Sequence, residues 1–125
     1  MNHYNLQRFD EFHPILNELK KKGDLEGIIL AFRDGGLINE VIRKDFDIKK
    51  FVSMCASVLE SAVEIGETIG NQKISKVIAE LAEMTILIYE CSQKAFLILI
   101  FNRDSKISYI LGKLEEVIQK ISETF

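Results

Sequence analysis

The sequence predicts an α/β domain, an α+β sandwich in which strand hairpins alternate with amphipathic helices. Three observations carry this. Two pairs of short apolar runs are each joined by turn-forming residues, and a long run between the pairs repeats its apolar residues at helical intervals. The 125 residues suit a single domain, and a chain of this size buries roughly two-thirds of the surface its unfolded form exposes. Its 47% hydrophobic and 28% charged residues exclude the disordered and fibrous classes.

The elements follow in order. Leu6, Phe9, Phe12, Leu16 and Leu19 recur at helical spacing, interrupted by Pro14, which lacks a backbone donor and crowds the turn before it. The expectation is a short leading helix, then a second starting near Pro14 and stopping before Gly23. Residues 25–32 and 37–42 are apolar runs joined by Arg33-Asp34-Gly35-Gly36, a strong hairpin signal because glycine supplies the positive φ of tight strand connections. The first run is apolar at nearly every position, as in a strand covered on both faces. Asp47 reads as the N-cap of the longest helix. Its apolar stripe is Ile48, Phe51, Val52, Cys55, Leu59, Ala62, Val63 and Ile69, and Gly70-Asn71 ends it. Small residues (Ser53, Ala56, Ser57, Ala62, Gly66) crowd around that stripe and permit close approach of another backbone, such as a partner helix.

Between 74 and 85 the local pattern points to helix: Ile74, Val77, Ile78, Leu81 and Ala82 fall at helical intervals without strand alternation. Residues 86–89 and 95–101 are rich in β-branched and aromatic side chains and flank Ser92-Gln93-Lys94, a second hairpin. A last helix, capped by Asp104 or Ser105, carries Ile107, Ile110, Leu111, Leu114, Val117 or Ile118, and Ile121.

A net charge of −3 gives no field favouring nucleic acid. Lys20, Lys21 and Lys22 form the one tight basic run, a solvated cluster favoured by the negative end of a helix dipole. Apolar runs such as 95–101 and 86–89 are far too short to span a bilayer. Met1-Asn2-His3-Tyr4 opens no signal segment. The expectation is a cytoplasmic protein that does not insert into membranes. Cys55, Cys91, His3 and His13 lack metal-site spacing, so the cysteines read as buried free thiols and no metal or cofactor is expected.

No catalytic constellation emerges. Asp34-Gly35-Gly36 leads into a strand, whereas a phosphate-binding loop leads into a helix whose N-terminus faces the anion. The thiols have no histidine nearby in sequence to act as base. Glu80 and Glu83 read as solvating charges. The expectation is a protein that binds and does not catalyse.

The order helix, hairpin, long helix, strands, helix resembles the roadblock / dynein light chain family. Leu25-Glu26-Gly27-Ile28-Ile29-Leu30-Ala31-Phe32-Arg33-Asp34-Gly35 looks like that family's first strand and Arg-Asp-Gly turn. Ile65-Gly66-Glu67-Thr68-Ile69-Gly70 looks like the end of its long helix, and 75–101 like its last three strands. The likeness runs over 12–121 and is to the prokaryotic, archaeal type. It leaves 1–11 as a helical N-terminal extension to a 12–125 domain. A glycine-bearing motif at the entry to the last helix is replaced here by Ser105-Lys106-Ile107-Ser108.

The resemblance implies a five-stranded antiparallel sheet, with the long central helix on one face and the N- and C-terminal helices on the other. It makes 74–85 the third strand, against the local pattern. It implies a homodimer in which third strands join into one continuous sheet and long helices lie side by side, through Ser53, Ala56, Ser57, Ala62, Gly66, Ile78 and Glu80. It further implies a small Ras-like GTPase as partner, bound around the paired helices. Helical spacing exposes Ser53, Ser57 and Ser61 there, together with the charged candidates Lys49, Lys50, Glu60, Glu64 and Glu67. Arg33 is expected in its hairpin turn, away from that helix. The competing readings are a small-molecule-sensing domain, which the bulky strand residues disfavour, and an adaptor with no GTPase partner.

Overall fold

A computed structural model describes residues 10–42 and 45–125. Its elements are α1 (Phe12–Gly23), β1 (Gly27–Phe32), β2 (Leu37–Ile42), α2 (Ile48–Thr68), β3 (Lys76–Glu80), β4 (Thr85–Glu90), β5 (Ala95–Phe101) and α3 (Ile107–Thr124). The strands form one sheet in the order β2-β1-β5-β4-β3, with every neighbouring pair antiparallel. β5 lies at the centre and is buried at every residue. Alternation along the strands divides the core. Ile28, Leu30, Leu97 and Leu99 face α1 and α3, which contribute Leu16, Leu19, Ile110, Leu114, Val117 and Ile121. Ile29, Ala31, Phe96, Ile98 and Ile100 face α2, which contributes Val52, Cys55, Ala56 and Leu59. This is the expected sandwich, with one helix on one face and two on the other among the described residues.

The first hairpin closes as its residues dictate. Gly35 takes φ +101°, the Phe32 N–H donates to the Gly36 carbonyl at 2.7 Å, and the Gly36 N–H donates to Asp34 Oδ1 at 2.9 Å. Asp47 caps α2 by accepting the Lys50 N–H at 3.1 Å.

Several boundaries differ from expectation. Pro14 does not start a helix; α1 begins at Phe12 and takes the proline into its first turn, where a backbone donor has no intrahelical partner to lose. The leading helix expected before it falls mostly on residues 1–9, outside the described residues. Gly23 belongs to α1, and the left-handed stop is Asp24 at φ 52°. Gly23 is small for another reason: a Cβ there would lie 2.6 Å from Ile110 Cγ1, so α1 and α3 touch at this point. Neither Asp104 nor Ser105 caps α3. The Ser105 hydroxyl instead donates to the Asp24 carbonyl at 2.8 Å, and the Lys106 N–H donates to the Gly23 carbonyl at 2.7 Å, joining the β5–α3 loop to the end of α1. Of the stripe expected on α3, Ile107 and Leu111 are exposed.

The segment with the helical pattern contains a strand. Lys76–Glu80 pairs along its whole length with β4, from Lys76 opposite Tyr89 to Glu80 opposite Thr85. Val77 packs in the α2-side core while Ile78 is exposed on the other face. A ladder that satisfies β4's outer backbone groups outweighs a weak local period.

Two helical glycines make opposite predictions. At Gly66 a Cβ would stand 2.2 Å from the Gln72 carbonyl, where the chain folds back across the end of α2. At Gly112 a Cβ would meet nothing within 4 Å. In urea denaturation Gly66→Ala should cost about 1–3 kcal/mol despite its better helix propensity. Gly112→Ala should gain about 0.5–1 kcal/mol.

Candidate protein-interaction surface

Lys49, Lys50, Ser53, Ser57, Glu60, Ser61, Glu64 and Glu67 are all exposed along the outer side of α2. The small residues have a different distribution. Ala56 is buried in the sheet-facing core, and Gly66 is buried beneath the returning chain at Gln72, so neither offers surface to a partner. Ser53 is exposed, yet its backbone receives the first hairpin turn: a Cβ on Gly35 would lie 3.4 Å from Ser53 Cα. The Ser57 hydroxyl donates to the Ser53 carbonyl at 3.3 Å, and Ala62 is half-buried. Much of the small-residue pattern therefore serves the chain's own packing.

What the pattern did not single out is a second apolar stripe on α2. Met54 is 60% exposed, Val58 46%, Ile65 62% and Ile69, just past the helix end, 69%. Ile69 was placed on the buried stripe by its spacing; it lies beyond the last helical residue, where the helical period no longer sets its direction. Met54, Val58 and Ile65, with Ser61 and Ala62 between, lie along one flank of the helix, and Ile69 follows just past its end. The signal was present as bulky side chains at helical spacing beside the main stripe, which alone was read as the apolar face.

β3 is the last strand of the sheet, so its outer edge has no partner strand among the described residues. Lys76, Ile78 and Glu80 are exposed on it, and Ile78 and Leu81 are large apolar side chains more than half exposed.

Arg33 does not stay away from the long helix. Its guanidinium pairs with Glu60 of α2 at 3.0 Å and also with Glu90 at the end of β4. The Arg33 side chain is 16% exposed and Glu60 62%, and both line a groove with a volume of about 710 Å³ between the end of α2 and the β4–β5 turn. Glu60, a candidate for contact with a partner, is thus already engaged within the chain.

Cys55 and Cys91 are free and buried. Burial pushes the Cys55 thiol up to about 11. Burial first, and then the nearby Glu90, pushes Cys91 up to about 12. Thiolate is scarce near neutrality, which suits structural rather than nucleophilic cysteines. Among the described residues no group of three or more His, Cys, Asp or Glu side chains is placed to hold a metal ion, and no helix is long and apolar enough to cross a membrane.

The profile of the Roadblock/LC7 domain matches residues 12–101. Three solved structures share the fold. An MglB with tetrameric arrangement superposes at TM-score 0.85 and 13% identity, covering 97% of this chain and 91% of its own. Gliding protein MglB from Thermus thermophilus gives 0.81 at 12% identity, covering 99% and 93%. A Roadblock/LC7 domain from Streptomyces avermitilis gives 0.77 at 10% identity, covering 87% and 92%. No curated protein sequence matches the chain.

The Arg33 site generates a graded expectation. Glu90 is the less exposed carboxylate, 31% against 62%, so Glu90→Ala should cost about 1–3 kcal/mol in chemical denaturation. Glu60→Ala should cost no more than about 1 kcal/mol. The reverse order would show that the guanidinium is held mainly by the helix.

Proposed function

The chain belongs to the Roadblock/LC7 domain family, and on that premise we propose that it is a non-catalytic protein-interaction module of the cytoplasm that pairs with a second copy of itself and binds a small Ras-like GTPase. One observation carries the pairing: α2 leaves Met54, Val58 and Ile65 exposed along one flank, with the exposed Ile69 just past its end, and clustered apolar surface of this kind marks association. The open edge of β3 supports the same reading, since an exposed strand edge invites a further strand. The edge is also self-complementary. Antiparallel pairing centred on Ile78 sets Lys76 opposite the partner's Glu80 and Val77 opposite the partner's Ala79.

The GTPase reading rests on the family and on the charge of α2. Lys49 and Lys50 lie at its start, Glu64 and Glu67 toward its end, and all four are exposed. Such segregated charge steers encounter and fixes orientation more than it adds affinity. Arg33, the basic residue nearest this surface in the first hairpin, is held by Glu60 and Glu90. A GTPase bound here would have to complete its own catalytic site, or take help from residues other than Arg33.

Light scattering should give about twice the 14.3 kDa chain mass. Ala62→Glu should shift the protein toward monomer, because an unpartnered charge in an apolar contact costs several kcal/mol. A monomer across micromolar concentrations would sink the pairing. Reversing Lys49, Lys50 and Glu64 together should weaken binding of a GTPase and its dependence on salt without unfolding the domain. Unchanged affinity in that variant would move the GTPase surface elsewhere.

A further inference from the structure

At the start of α2 an apolar pocket of about 190 Å³ opens between the helix and the β3–β4 turn. Phe46, Phe51, Leu81, Met84, Ile86 and Ile100 form most of its wall. Phe46 and Phe51 meet edge to face at 5.3 Å and hold one side. Phe46 and Leu81 are large apolar residues left exposed at its lip. An apolar cavity of about 150 Å³ is enough to take up a benzene molecule, so this one suits a single branched or aromatic side chain.

We infer that this pocket is half of a composite site, completed when Ile69 of a second copy inserts into it. The inference rests on the self-pairing proposed above and specifies its register. An antiparallel pair of α2 helices that uses the whole exposed stripe sets Met54 against the partner's Ile69 and Val58 against the partner's Ile65. Ser61 and Ala62 then meet at the crossing, where small side chains let helix axes approach to about 8–10 Å. Met54 lies one turn from Phe51, and side chains three apart are neighbours on a helix surface. An isoleucine seated against Met54 therefore also borders the Phe51 wall of the pocket. Charge favours the same antiparallel arrangement: Lys49 and Lys50 stand in the first turn of α2, whereas Glu64 and Glu67 stand in its last turns, just before Ile69. The acidic end of one helix meets the basic start of the other, twice by symmetry.

The test uses the whole chain. Ile69→Cys protein and Leu81→Cys protein, mixed and treated with a short bismaleimide, should give a cross-linked species of about twice 14.3 kDa. Either variant alone should give little, because two-fold symmetry separates like residues and Cys55 and Cys91 are buried. Ile69→Ala should weaken self-association about tenfold, the loss expected of an interface anchor. A wild-type dimer whose mixed variants fail to cross-link, and whose affinity ignores Ile69→Ala, overturns the composite site and leaves self-pairing standing. A wild-type monomer overturns self-pairing, and the composite site with it. The Met84 methyl resonance adds an independent readout. It should shift as the protein is diluted through dissociation, whereas a shift seen only on adding a GTPase would give the pocket to that partner and overturn the inference.

Discussion

β5 has no polar position. Its seven residues, Ala95–Phe101, are all buried, and a strand of that kind is stable only between two covering layers. β1 shares the constraint, with Gly27 to Ala31 buried. These two strands occupy the middle of the sheet and oblige helices to lie on both faces. Among the described residues the demand is met unequally, with α1 and α3 on one face and α2 alone on the other. Five strands spaced about 4.8 Å apart make a sheet roughly 19 Å across between its outer strand axes. One helix with its side chains is about 10–12 Å wide. Among the described residues α2 is the one helix on its face, and it is too narrow to cover it. The part-buried Val77 and Ile86 beyond it and the exposed stripe along its flank follow from the same shortage of cover.

Holding a single helix in place over a wide sheet requires ties at its ends and sides. The first hairpin turn leans on Ser53 through Gly35, Arg33 reaches from that turn to Glu60 and across to Glu90, and the chain leaving α2 folds tightly over Gly66. On the other face Ser105 and Lys106 join the entry of α3 to the end of α1, and Asn102 Nδ2 donates to Glu26 Oε1 at 3.1 Å. Each tie uses short-range geometry, so each demands a particular residue type. Several of those residues look, in the sequence alone, as though they were reserved for a partner.

That ambiguity sets the limit of what could be read from the residues. Strand pairs and helices with strong local chemistry were legible: Gly35 in its turn, Asp47 at its cap, the unbroken apolar run of β5. β3 was not, because a five-residue edge strand that is half-exposed has little alternation to show, and Leu81 and Ala82 continue an apolar period into what is a turn. The resemblance to a known family supplied that strand where local physics did not. At the surface, exposure along α2 was legible from helical spacing, but the meaning of small residues was not. A glycine that admits a partner and a glycine that admits Gln72 look alike in sequence. Arg33 was misplaced for a related reason: a long side chain in a hairpin turn can reach a helix that is distant in sequence, and spacing carries no record of that reach.

Under the proposed function, engagement of Glu60 by Arg33 changes how the exposed face of α2 works. With that carboxylate committed, the outward charge reduces to two lysines at one end and two glutamates at the other, separated by serines and the apolar stripe. Solvated charges of this number give direction to an encounter and little net affinity. Affinity has to come from apolar area. A standard stable interface takes about 800 Å² from each partner, some twenty residues, and Met54, Val58, Ile65 and Ile69 fall well short of that alone. The β3 edge can supply the remainder, since it offers backbone groups along its length and adds Ile78 and Leu81. Under the proposed pairing, helix stripe and strand edge are therefore two parts of one interface. Damage to either should weaken the other's contribution, because neither holds a second copy in register by itself.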